Sequence, residues 1–382
     1  MKNCIISLLA VVCICLLLNA LGVFQFGSFI DRGHRSWNER MREKSVRNSP
    51  VLKLGAAYDA ADRPAVEAME GVSLAAELLN QDGGVNGRKL EIIRRDDVKT
   101  LPEYCMAIQQ FCDDPAIAAV IGPFRSGYIP SARALTQFHG LPLVSPLTVR
   151  SEKLPELEPD NFVTLFPPLK LWIDAILAHM EKKGHRNILI VSPETDTYGD
   201  IFCTALERES RHRAGFGSVY RLNYQSPLRR RDLLHAVQNY AGDRNFDAVF
   251  FGGTFSDFPE FLALLKERRL TAPVYGNDDL YIPQIRSAAA ESVLCLPRVE
   301  LRRKDTRFVK EWIRRFGREP SYHTVLGAES VFAVAEAVRS AGDGAFGTLP
   351  EILRESRIKL LRDPQTAQRI VMDCFAPSAN KK

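Results

Sequence analysis

The sequence lacks the signatures of several common catalytic sites. There is no G-x-x-x-x-G-K-[ST] phosphate loop and no G-x-S-x-G nucleophile turn. Neither C-x-x-C nor H-E-x-x-H occurs, so a redox dithiol and a helical zinc site both lack support. The seven histidines show no paired ligand spacing, and His139, His179 and His185 each fall near a helix end or a turn. Asp96-Asp97 is the nearest thing to a carboxylate dyad, yet neighbours on a strand point to opposite faces. A large charge excess is also missing: 51 Lys and Arg against 46 Asp and Glu leave +5 over 382 residues. The densest basic cluster lies in Asp31–Pro50, which is too little to indicate a nucleic-acid partner. Binding without catalysis, cofactor or metal is the expectation.

What is present begins at the N-terminus. Met1-Lys2-Asn3 leads into an uncharged apolar run from Ile5 to Phe26, the pattern of an export segment. It exceeds the usual h-region of about 7–15 residues and reaches the roughly 20 needed to span a bilayer. Residues 1–28 therefore read as a cleaved signal or an uncleaved anchor, and both take the rest of the chain out of the cytoplasm. Residues 29–50 are polar and basic. They read as a solvated tether, or alternatively as a strip resting on anionic headgroups. Of eight cysteines, five lie beyond the apolar run: Cys105, Cys112, Cys203, Cys295 and Cys374. An odd number leaves at least one thiol unpaired. Cys105 and Cys112 share one predicted helix and stand about 10.5 Å apart along its axis, beyond the roughly 7 Å reach of a disulfide.

Downstream, short apolar runs alternate with helical patterns. Leu52–Tyr58, Lys89–Arg94, Ile117–Ile121 and Leu141–Ser145 predict strands, separated by helices over Val66–Asn80, Pro102–Phe111 and Ile129–Phe138. After a break at Pro167-Pro168 come Asn187–Ser192, Ser218–Leu222, Asp247–Gly252 and Pro273–Gly276. Near-continuous apolar runs are those of parallel strands covered on both faces. Repeated β-α units then give α/β, doubly wound sheets, one in each of two lobes. Ligands in such sheets bind beyond the carboxyl ends of the strands. There the sequence places five polar loops: GPFRSG, SPLTVR, TDTYGD, GGTFSD and YGNDD.

GVSLAAELLNQDGGVNGRKLEIIRRDD, from Gly71 to Asp97, resembles the leading motif of the periplasmic branched-chain amino-acid-binding proteins. VIGPFRSG and LPLVSPLTVR are similar to that family's two serine-bearing ligand loops. TDTYGD resembles the opening of its second lobe, and FGREPSYHTVLGAESVFAVAEAVRSAG its late helix pair. The resemblance implies a type I periplasmic binding protein fold, with lobes joined by three crossings near Phe166, Pro297 and Asp363. Lobe 1 would comprise 51–166 with 298–363, and lobe 2 would comprise 167–297 with 364–382. It further implies that Ser126 and the N–H of Gly127 receive a ligand carboxylate, beside Phe124 and Arg125. Leu147, Thr148 and Val149 would complete that half. Tyr198, Thr254 and Asp278 would approach from lobe 2, Asp278 pairing with an ammonium. Two departures stand out: Val149 occupies the expected threonine position, and the first loop reads AYDAADRPAVEAMEG. The implied function is that of the solute-binding component of an ABC-type importer for a small amino-acid-like ligand. Its partners would be a membrane permease and, through the N-terminal segment, the membrane itself. A membrane-anchored ligand sensor with an altered site is the alternative.

Overall fold

The computed structural model describes residues 26–149, 161–194, 197–229, 246–267, 272–282, 285, 293–300, 306–341 and 369–375. The apolar run before Phe26 and the expected third crossing near Asp363 lie outside the described residues.

Lobe 1 carries five parallel strands: β1 (Val51–Ala57), β2 (Lys89–Arg95), β3 (Ile117–Ile121), β4 (Leu143–Ser145) and β5 (Phe162–Thr164). Their order is β2-β1-β3-β4-β5. Helices α2 (Arg63–Gln81) and α9 (Tyr322–Ala341) cover one face. Helices α3 (Leu101–Asp113) and α4 (Ile129–Phe138) cover the other. Lobe 2 holds β6 (Ile188–Pro193), β7 (Val219–Tyr224), β8 (Ala248–Phe251), β9 (Val274–Gly276), β10 (Leu294–Glu300) and β11 (Arg369–Phe375). Their order is β11-β10-β9-β8-β6-β7, and only β11 runs antiparallel to its neighbour. Helices α5 (Leu169–Lys182) and α6 (Thr197–His212) pack on one face of this sheet, and α7 (Phe258–Glu267) on the other. Helix α8 (Arg307–Phe316) returns to lobe 1.

The DGGVNG stretch shows why that motif is written in glycine. Gly83, Gly84 and Gly87 have φ of 89°, 83° and 75°, with Asn86 at 51°, conformations open to Gly and tolerated by Asn. Glycine also governs the closest helix contact. A Cβ on Gly71 would lie 1.9 Å from the Thr324 carbonyl oxygen, and one on Gly327 would lie 2.0 Å from that of Ala68. Backbone cannot retreat as a flexible side chain can, so α2 and α9 depend on both glycines. Gly327→Ala is expected to cost at least about 1–3 kcal/mol. A fall in the urea midpoint at unchanged m-value is the reading that checks it.

The chain leaves lobe 1 between β5 and α5. It returns between Glu300 and Arg307, because β10 stays paired with β11 from Leu294↔Phe375 to Glu300↔Arg369. Glu300, the end of that ladder, lies three residues beyond Pro297. Helix α9 spans both lobes: Tyr322 in its first turn packs with the lobe 2 core, 6.1 Å from the Trp172 ring, while Val331, Val334 and Val338 further along fill lobe 1.

The tether expectation is corrected. Phe26–Asn48 is a helix, α1, docked on lobe 1. Arg42 is 5% exposed. Its guanidinium donates to the carbonyls of Cys112 (2.7 Å), Asp114 (2.9 Å), Ile117 (2.7 Å) and His139 (3.2 Å). Val46 is fully buried in the same core as β1. One arginine thus serves carbonyls at helix and loop ends, where intrahelical partners run out.

Cys295 and Cys374 form a disulfide between β10 and β11. Cys105, Cys112 and Cys203 form no disulfide. Burial pushes the Cys112 thiol up to about 12, so it is inert at neutral pH.

Candidate functional site

Every loop at the carboxyl end of a strand near the lobe junction contributes to one cleft of about 540 Å³. Lobe 1 supplies Asp59, Ala61 and Asp62 after β1, Phe124 to Tyr128 after β3, and Leu147 after β4. Lobe 2 supplies Thr197 and Tyr198 after β6, Ser226 after β7, Thr254 to Ser256 after β8, and Asp278 and Asp279 after β9. Phe166 lies at the first crossing, and His323 at the start of α9 closes the back. This is the position that the twisted α/β sheet leaves open for a ligand.

The opening segment GPFRSG holds a helix start. Ser126–Tyr128 form a 3-10 turn that runs straight into α4. The first N–H groups of a helix lack intrahelical partners and carry partial positive charge, so this end suits an anion. Helix α6 likewise begins at Thr197 on the opposite wall. The lobes touch here: a Cβ on Gly127 would lie 3.0 Å from Thr197 Oγ1.

Facing that helix end is an acid. Asp278 is 2% exposed. One of its oxygens accepts from the Tyr198 hydroxyl and the other from the Tyr322 hydroxyl. Burial, then the negative charge of Asp278, raises both tyrosines well above their ordinary range, so both remain donors. Phe166 is stacked on Trp172 at 5.3 Å, with the edge of Tyr198 at 6.3 Å, and forms an apolar floor.

The sequence-predicted residues divide. Phe124, Arg125, Ser126, Gly127, Leu147, Tyr198, Thr254 and Asp278 all line the cleft. Thr148 and Val149 lie behind that lining. The Thr148 hydroxyl donates to Ser145 Oγ at 2.6 Å, and its N–H reaches the same oxygen at 3.1 Å. The Val149 N–H donates to Ser126 Oγ at 3.2 Å. These groups fix the second loop and aim Ser126, whose own O–H remains to donate. Arg125 is engaged as well, with Nη2 3.2 Å from Asp59 Oδ2 and Nε 3.0 Å from Asp62 Oδ2. The unusual first loop thus supplies two acids that hold this arginine.

Sequence reasoning missed Tyr322 and His323. His323 is 3% exposed, and its Nδ1 lies 3.2 Å from Glu67 Oε2. Burial raises the Glu67 carboxyl. Hydrogen bonds from His323 and Ser321, with the charges of His323 and Arg63, outweigh burial and hold it at about 2. A folded-state value below the ordinary one stabilises the fold above pH of about 4.5, a contribution lost as pH falls toward 2. Glu67→Gln is expected to flatten the acid limb of the stability curve across that window, as followed by urea unfolding at stepped pH.

The only group of His, Cys, Asp or Glu close enough to hold a metal among the described residues is His179, Cys295 and Cys374, and its two sulfurs are joined as the disulfide.

Comparison with known proteins places this geometry among relatives. The profile of the family described as "Periplasmic binding protein" matches residues 33–365. A Pseudomonas aeruginosa protein named "Amino acid binding protein" is 23% identical over 285 residues, 71% of this chain and 73% of its own length. An ABC transporter substrate-binding protein from Desulfitobacterium hafniense, solved in complex with Leu, superposes with TM-score 0.67 at 25% identity, covering 80% of this chain and 89% of its own. A leucine-binding protein from Thermotoga maritima gives TM-score 0.68 at 15% identity over 86% of this chain and 99% of its own.

Proposed function

The chain belongs to the periplasmic binding protein family, and from that premise we propose that it captures an amino-acid-like zwitterion between its lobes and presents it to a membrane permease. Members of this family act outside the cytoplasm, consistent with the uncharged run Ile5–Phe26, which we take as the element tying the protein to the membrane. The observation that carries the ligand reading is the buried Asp278, set across the cleft from the helix start at Ser126. An α-ammonium would pair with the Asp278 carboxylate. An α-carboxylate would take the Ser126 hydroxyl and the N–H of Gly127. Neither charge would be stranded, which desolvation in a closed cleft requires. Arg125, held by Asp59 and Asp62, orders the rim of lobe 1, leaving the carboxylate to neutral donors.

Thermal unfolding of the full chain against the common α-amino acids tests this reading. A bound ligand at 100 times its Kd stabilises by about 2.7 kcal/mol, so binders raise Tm in a concentration-dependent way. A panel in which no α-amino acid moves Tm, while simple carboxylates do, would reject the zwitterion.

A further inference from the structure

Helix α1 has two faces of unlike chemistry. Arg42 and Val46 point into lobe 1 and fix the rotation of the helix about its axis. Trp37, Arg40, Met41, Lys44 and Arg47 face outward. At 100° per residue those five fall within an arc of about 120°. Trp37 is 54% exposed and Met41 40%, large side chains that water does not favour. Phe138, 40% exposed, lies alongside, its carbonyl accepting from Asn38. Arg40 and Lys44 have no acidic partner among the described residues; Glu43, the acid at the edge of the arc, lies 3.1 Å from Arg47. A helix face that mixes an aromatic, an apolar side chain and unpaired cations has the chemistry of the lipid headgroup boundary.

We propose that this exposed face of α1 is a docking surface for an anionic lipid membrane. Two observations select lipid over a protein partner. The uncharged run from Ile5 ends at Phe26, within the same chain segment that continues into the helix, so the stripe starts about 11 residues from the segment long enough to enter a bilayer. The exposed face is also basic, carrying Arg40, Lys44 and Arg47, and a bed of phosphates requires only charge and shallow insertion. Because Arg42 locks α1 to lobe 1, contact along this face would hold lobe 1 at a set orientation on the membrane and leave lobe 2 free to swing.

The three tryptophans make the test direct. Trp172 and Trp312 are fully buried, and Trp37 is exposed, so brominated acyl chains can quench only Trp37. Full-length protein is reconstituted in nanodiscs of phosphatidylglycerol with phosphatidylcholine, or of phosphatidylcholine alone. Quenching and a blue shift are expected in the anionic discs, absent in Trp37→Phe and reversed by salt. Each basic residue removed, as in Arg40→Gln or Lys44→Gln, should lower the anionic preference about fivefold. These positions are exposed, and unchanged thermal unfolding confirms that the variants fold. Absence of quenching in anionic discs overturns the proposal. Equal quenching in neutral discs overturns it too, since the apolar run alone would then account for proximity.

Discussion

Asp278→Asn should weaken an α-amino-acid ligand by roughly 30-fold or more, measured by calorimetric titration against the parent protein. In the parent, Asp278 receives two tyrosine hydroxyls and is nearly inaccessible to solvent. Its remaining lone pairs face the cleft. An ammonium docked there makes a desolvated, hydrogen-bonded charge pair, and removing one partner of such a pair costs about 2–5 kcal/mol. Most of that is the stranded charge on the other partner, so the loss should appear in ligand release. Ser126→Ala should cost less, about 1–3 kcal/mol, because the Gly127 N–H and the helix end remain. The order of the two effects discriminates. An anionic, ammonium-free ligand would lose more from Ser126→Ala and nothing from Asp278→Asn.

Arg42→Met should lower global stability by about 2–4 kcal/mol, read as a reduced urea midpoint. Methionine keeps the apolar stem but removes the guanidinium that serves four carbonyls on three separate segments. Water can reach those nearest the surface, at His139 and Asp114, and this keeps the cost below the sum of four bonds. Hydrogen exchange should accelerate along α1 and at the C-terminal end of α3, while lobe 2 amides keep their protection. An unchanged midpoint and unchanged exchange would mean that α1 is not docked on lobe 1.

The chemistry of these two sites explains what the sequence alone could convey. Strands β3, β4, β6, β8 and β9 read easily, since a strand covered on both faces is apolar almost throughout. The edge strands β2 and β7 keep only part of that signal. Strand β5 is three residues beside a proline pair, and β10 carries Pro297 and Arg298, so neither looks like a strand. Strand β11 is an antiparallel edge whose Arg369, Asp373 and exposed Cys374 interrupt the apolar run. Helix α1 was illegible for a different reason: it docks through one buried arginine and one valine, leaving no apolar stripe to find.

In the cleft, the polar turns after the strands point to the loops, and it is the family resemblance that singles out Ser126, Tyr198 and Asp278 within them. Tyr322 and His323 could not be placed, because α9 reaches the site only through the return of the chain to lobe 1. Thr148 lies behind the lining for a local reason. A hydroxyl one position from Ser145-Pro146-Leu147 finds Ser145 itself before it finds a ligand. Sequence shows that a donor is present but not which acceptor will claim it.

A two-lobed cleft whose halves each supply part of the ligand's contacts should open when empty and close when filled. Small-angle scattering on the full chain, empty and then saturated with an amino acid that raises its Tm, measures that change. A smaller radius of gyration on saturation, shifted in Asp278→Asn to roughly 30-fold higher ligand concentration, is the result expected from binding between the lobes. An unchanged radius at verified saturation would contradict it.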